Sequence, residues 1–88
     1  IRLACESEAA IDQDFNLSTP HGHTVLDVAE AIWRRLRPGE ALRVAFDPPF
    51  EHDVQRREPC VEKAARVLGF RAETDLDAVL DEVVPWVV

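Results

Sequence analysis

Apolar residues recur at helical spacing through the middle of the chain. From Val25 to Leu36 they fall at i, i+3, i+4, i+7 and i+11, and a Pro-Gly pair follows this run. Thr24 and Asp27 precede it with the spacing of a capping box, in which each side chain accepts a hydrogen bond from the other residue's backbone amide. The pattern predicts a helix that begins after Thr24 and ends near Arg37.

Two further apolar periodicities lie in the second half of the chain. Residues 61–68 repeat a helical face, and Gly69 stands where a left-handed C-terminal cap is expected. Thr74 to Asp77 has the form of a second capping box, ahead of an apolar face made by Leu76, Val79, Leu80, Val83, Val84 and Val87. Residues 1–10 have the composition of the end of a helix that began before Ile1. The sequence therefore predicts about four helices.

In two short segments, apolar and polar residues alternate as they do in β-strands. Phe15–Ser18 runs into a Pro-His-Gly breaker, and Ala41–Phe46 places its larger apolar residues on one side before Pro48-Pro49. Together with the helices, these segments predict an α/β fold, in the form of a small α+β-like subdomain with two or three short strands. Residues 1–88 are expected to form this subdomain as a single unit. Trp33 and Trp86 are expected to pack in or near its core.

Composition narrows the class of protein. The chain has 88 residues, is 47% hydrophobic and carries a formal net charge of −7. Its acidity argues against nucleic acid as a partner, because that binding needs a basic surface, and no apolar run approaches the roughly 20 residues that cross a bilayer. Cys5 and Cys60 are far apart in sequence and are expected to be free thiols in the cytoplasm. With neither a starting Met nor a signal-peptide pattern, the chain is expected to begin within a longer protein.

The sequence predicts no complete catalytic site. Its three glycines, Gly22, Gly39 and Gly69, are too widely separated for a dinucleotide-binding loop. There is no tyrosine and only one lysine, Lys63, so a Tyr/Lys proton-transfer pair is absent as well. No catalytic residue and no bound cofactor are therefore assigned to this chain.

Two minor alternatives concern histidine and cysteine. His21, His23, His52, Asp53 and Cys60 are residue types that bind zinc, but their spacing is not a usual zinc pattern, and a polar turn is the favoured interpretation. A Cys60–His52 nucleophile and base would lack an orienting group and an oxyanion donor. A small buried side chain at a helix start is the favoured role of Cys60.

The segment from His52 to Pro59 holds two adjacent arginines on an acidic chain. Arg56 and Arg57 could pair with Asp47, Glu51 or Glu58 at the surface, which spacing alone favours. The alternative is that a guanidinium grips a diphosphate through its planar array of donors. Both interpretations stay open at this point.

Four motifs in order resemble the C-terminal part of extended short-chain dehydrogenases/reductases, the NAD-dependent nucleotide-sugar epimerases, dehydratases and decarboxylases. They are Phe15-Asn16-Leu17-Ser18 (family F/Y-N-I/L-G/S), Thr24-Val25-Leu26-Asp27-Val28-Ala29 (T/S-V-x-E/D-L/V-A), Asp53 to Lys63-Ala64 (D-x-x-x-R-x-P-D-x-x-K-A) and Leu68-Gly69-Phe70 (L-G-W/F). Together they span most of the chain. The resemblance implies a substrate-binding region of an epimerase or dehydratase, with an isomerase-type activity only in the parent protein.

The resemblance assigns residues one by one. Arg57 matches the arginine that reaches the nucleotide-sugar, Asp53 matches the acidic residue upstream, and Arg56 is their neighbour in the proposed substrate site. NAD and the N-terminal dinucleotide-binding domain of the same protein become implied partners, and oligomer formation is open. Two positions depart from the family pattern: Cys60 replaces an aspartate cap, and Phe50 stands where the UDP-galactose 4-epimerase type has an arginine.

The alternative is a non-enzymatic acidic module, such as a carrier-like helical bundle. The length and charge fit it, but no serine follows an aspartate, so the Asp-Ser-Leu attachment site of carriers is missing. A purely helical protein would favour the module, whereas mixed helix and strand would favour the dehydrogenase/reductase region.

Overall fold

The computed structural model describes residues 1–88 and consists of helices joined by irregular segments. The helices are α1 (Arg2–Glu6), a 3-10 turn (Glu8–Ala10), α2 (Val25–Leu36), α3 (Glu62–Leu68) and α4 (Leu76–Val87). No β-strand is present. The fold is therefore all-α, and the predicted α/β class is wrong.

The error lies in the two segments predicted as strands. Neither Phe15–Ser18 nor Ala41–Phe46 forms the backbone hydrogen bonds of a ladder. Alternation of apolar and polar residues indicates only that a segment could have one buried side. A strand forms only when the backbone of a second segment makes hydrogen bonds with it. Without such a partner, both segments are irregular.

The chain divides into two compact units, of which the first comprises Ile1–Gly22 and Glu58–Thr74. Its centre is the contact between α3 and the 3-10 turn, where Ala64 is only 2% exposed. Gly69 ends α3 with a φ of +65°, a left-handed conformation that suits glycine because it lacks a Cβ. The predicted C-terminal cap is confirmed.

A lysine of α3 contacts the loop that contains Asp14 and Phe15. Lys63 Nζ lies 3.3 Å from a carboxylate oxygen of Asp14 and 5.2 Å from the centre of the Phe15 ring. The ion pair and the cation–π contact hold this loop against the helix.

The second unit comprises His23–Arg57 and Asp75–Val88, and its centre is the packing of α2 on α4. The two buried residues at this contact are Ala31 and Leu80. At the start of α2, the Asp27 amide donates to the Thr24 hydroxyl at 3.1 Å, and the Thr24 amide donates to the Asp27 carboxylate at 2.8 Å. The predicted capping box is confirmed, and the helix ends at Leu36 with Arg37 as its C-cap, in agreement with the predicted end near Arg37.

Helix α4 differs from its prediction at both ends. Its N-cap is Asp75, whose carboxylate accepts from the Ala78 amide at 2.8 Å, so Thr74 does not begin a capping box. Near the other end Trp86 is 87% exposed, so its predicted place in the core is wrong. Trp33, by contrast, is half-buried and donates its indole N–H to the Glu40 carbonyl at 2.9 Å.

None of the helices has both the length and the apolar character that spanning a membrane requires.

Candidate functional site

The predicted substrate segment follows a run of three apolar or helix-breaking residues, Pro48-Pro49-Phe50, and contains no helix. A turn begins it, in which the Asp53 amide donates to the Phe50 carbonyl at 3.3 Å. Prolines on both sides explain this backbone, because proline donates no hydrogen bond and disfavours helical geometry in the residue before it. The segment is thus a surface loop.

Asp53, Arg56 and Arg57 are all exposed. Arg56 also makes an interaction within the protein. The structure therefore keeps the three residues together along one loop and accessible to a ligand. It does not enclose them.

The C-terminal end of the loop is attached to the segment that precedes α2. Glu58 lies directly against Gly22, with its carboxylate beside the position that a Cβ on Gly22 would occupy. Two residues later, the Cys60 carbonyl accepts a hydrogen bond of 3.4 Å from the Asn16 side-chain amide. The Asn16 side chain thus holds the backbone at the C-terminal end of the loop.

Arg35 of α2 makes several polar contacts with α4, and the sequence patterns did not predict them. Its guanidinium donates from Nε to Asp81 and from Nη2 to Asp77, both at 2.8 Å, and from Nη1 to the Ala31 carbonyl at 2.9 Å. Hydrogen bonds from Arg35 lower the pKa of Asp77 below its ordinary value. The available signal was the four-residue spacing of Asp77 and Asp81, which places both carboxylates on one face of a helix, within reach of one guanidinium.

The candidate metal ligands and the cysteines are exposed. No group of three or more histidine, cysteine or acidic residues is arranged to hold a metal ion. Cys5 and Cys60 are free and exposed, so the predicted burial of Cys60 is wrong.

Two open apolar grooves lie in the second unit. One, of about 320 Å³, is formed where α2 and α4 meet, by Arg35, Leu36, Leu80, Asp81, Val84, Pro85 and Val88. The other, of about 370 Å³, runs along α2 and is lined by His23, Thr24, Val25, Val28, Ala29 and Ile32. Neither groove includes Asp53, Arg56 or Arg57.

Comparison with known proteins gives one relevant similarity. The chain is 29% identical over 76 residues to UDP-glucuronic acid decarboxylase 1 of Danio rerio, and the matched region is 86% of this chain and 18% of that protein. The chain thus spans less than a fifth of the length of this relative. No family model matches the chain, and no solved structure matches it at a significant level. The chain therefore shows a distant similarity, over most of its length, to a nucleotide-sugar decarboxylase.

Proposed function

We propose that this chain is the substrate-binding C-terminal region of an NAD-dependent nucleotide-sugar epimerase/dehydratase, and that it is inactive without a dinucleotide-binding domain. The observation that carries the proposal is the exposed Asp53–Pro59 loop, because its acidic residue, adjacent arginines and proline follow the family order. The similarity to UDP-glucuronic acid decarboxylase supports the same assignment.

Arg57 is the main ligand-binding residue in this proposal. A guanidinium presents parallel N–H donors that match two oxygens of a phosphate, and its charge does not depend on pH in the physiological range. Arg56 adds a second positive charge beside it. Asp53 carries a carboxylate, which only accepts hydrogen bonds when ionised, so it suits sugar or ribose hydroxyls rather than phosphate.

The residues of this chain do not fit the NAD site itself. The three glycines are at least 17 positions apart, and the proton-transfer pair of tyrosine and lysine is absent. NAD, which supplies a hydride acceptor when bound, would therefore be held by the N-terminal dinucleotide-binding domain of the same protein. The share of the relative that this chain leaves uncovered is ample for such a domain.

The proposal is tested by titrating the full-length protein with UDP-sugars, including UDP-glucuronic acid, and with dTDP-sugars. We expect Arg57→Ala to weaken binding by about tenfold or more, since it removes charge-assisted hydrogen bonds. Arg66→Ala, which removes an exposed arginine of α3, is the matched control and should bind as the unmodified protein does. Equal affinity of the Arg57→Ala variant and the unmodified protein would contradict the proposal.

The second candidate is a non-enzymatic acidic interaction or carrier-like module, and the all-helical fold favours it. Against a carrier bundle, the chain forms two compact units, only three apolar side chains are buried, and no serine follows an aspartate. Because the structure is helical, helix content no longer distinguishes the two candidates. Nucleotide-sugar binding that depends on Arg57 does distinguish them, since an acidic module would show none.

A further inference from the structure

Phe50 is an exposed aromatic side chain at the start of the loop that holds Asp53 and Arg57. Its side chain is 84% exposed, and the two prolines directly before it disfavour helical backbone at this point. An apolar ring in water has a free energy that burial would lower. Neither of the two grooves in this unit includes Phe50, so its ring is accessible to a surface from outside the unit.

A tight turn places Phe50 beside Asp53. The Asp53 amide donates to the Phe50 carbonyl at 3.3 Å, and Glu51 and His52 are the central residues of the turn. The Cα atoms of the first and fourth residues of a β-turn lie within about 7 Å of each other. One aromatic ring and one carboxylate therefore belong to the two ends of the same turn, and both residues are exposed.

The order of the chemical groups along this loop matches their order in a nucleoside diphosphate. Phe50 supplies an aromatic face, Asp53 a hydrogen-bond acceptor and Arg57 a guanidinium. A nucleoside diphosphate presents, in the same order, a planar base, ribose hydroxyls that donate hydrogen bonds, and phosphates. Four residues of extended chain span at most about 14 Å. Asp53 and Arg57 are thus close enough to contact one small ligand together with Phe50.

We infer that Phe50 binds the nucleobase of the ligand by stacking, next to ribose hydroxyls at Asp53. This inference rests on the proposed function, and it adds the base to the parts of the nucleotide-sugar that the loop recognises. Every base has a π face, so stacking on an aromatic side chain tolerates different bases. The Phe50 ring should therefore contribute to the binding of both UDP and dTDP.

The test measures the binding of UDP and of inorganic pyrophosphate, which has no base, to the full-length protein. We expect Phe50→Ala to weaken UDP binding about fivefold or more, since it removes base–aromatic stacking, and to leave pyrophosphate binding unchanged. Phe50→Trp keeps an aromatic face and should retain the UDP affinity. Phe50→Leu keeps apolar bulk without that face and should bind UDP nearly as weakly as Phe50→Ala.

Phe46→Ala is the matched control. Its ring is 78% exposed, but it lies outside the turn and is separated from Phe50 by the two prolines. The Phe46→Ala variant should bind UDP and pyrophosphate as the unmodified protein does. A loss of UDP affinity equal to that of Phe50→Ala would overturn the stacking role, because any exposed ring of this region would then have the same effect.

The two probes separate this inference from the proposed function. If Arg57→Ala binds both probes as tightly as the unmodified protein, the proposed function itself fails. If Arg57→Ala weakens the binding of both while Phe50→Ala weakens neither, the stacking role is overturned and the function of Arg57 stands. Equal weakening of UDP and pyrophosphate by Phe50→Ala would also overturn it, because the ring would then act through the structure of the loop.

Discussion

At the scale of single residues, three aspartates make the stability of the fold depend on pH. Hydrogen bonding from the Thr24 amide lowers the pKa of Asp27, that from Arg35 lowers the pKa of Asp77, and that from Lys63 lowers the pKa of Asp14. Each carboxylate is therefore favoured in its ionised form by the folded chain more than by the unfolded chain, where an aspartate has an ordinary pKa of about 3.9.

The direction of the pH effect follows from these shifts. A lowered folded-state pKa contributes stability that is fully present above the unfolded-state pKa and is lost as the pH falls through the folded-state value. We expect the helical circular dichroism signal of this chain to be stable from neutral pH down to about pH 5 and to fall as the pH drops below about 4. A signal that stays constant to pH 2 would contradict this prediction.

At the scale of elements, Arg35 is the main polar link between α2 and α4. One guanidinium reaches two aspartates of α4 and a carbonyl of its own helix, and its side chain is only 20% exposed. Arg35→Ala should lower the urea midpoint of unfolding. Arg35→Lys should fall between that variant and the unmodified protein, because an ammonium group lacks the planar set of donors.

The neighbouring arginine provides the control for this prediction. Arg34 lies in the same last turn of α2 and is exposed, whereas Arg35 is half-buried. Arg34→Ala should therefore leave the unfolding midpoint close to that of the unmodified protein. If the two alanine variants had the same midpoint, the contacts of Arg35 with α4 would contribute nothing measurable.

The elements also show which features a sequence can predict. The capping box of Thr24 and Asp27 and the C-terminal cap at Gly69 were predicted correctly, because each depends on residues three or four positions apart. The strand at Ala41–Phe46 was wrong, since a strand requires a partner that local alternation does not specify. The same limit applies to the site: the Asp53–Arg57 order is local, whereas the contact between Gly22 and Glu58 joins residues 36 positions apart.

At the scale of the whole molecule, too little apolar surface is buried. Sixteen large apolar side chains are exposed, among them Phe46, Phe50 and Trp86. Only Ala31, Ala64 and Leu80 are buried among the apolar residues. Exposed apolar surface on this scale is typical of a chain that packs against further polypeptide.

Helix α2 is the clearest example of an element whose apolar face is left exposed. Most of the apolar stripe that predicted the helix lines an open groove, in which Val25 is 87% exposed. Leu36, at the other end of the stripe and outside that groove, is 40% exposed. Amphipathic helices gain most of their stability from packing of their apolar face, because helices of about 12 residues are marginal by themselves in water. Further packing over this stripe would therefore stabilise α2.

Under the proposed function, the rest of the parent protein covers it, which gives a prediction on hydrogen exchange. The backbone amides of α2 should exchange slowly in the full-length protein and much faster in the isolated 88-residue chain, since local opening is easier where few apolar contacts form. Amides of the exposed Asp53–Arg57 loop should exchange rapidly in both and serve as the internal control. Equal protection of α2 in the two samples would show that the helix needs no further packing, and would favour an independent acidic module over a region of a larger enzyme.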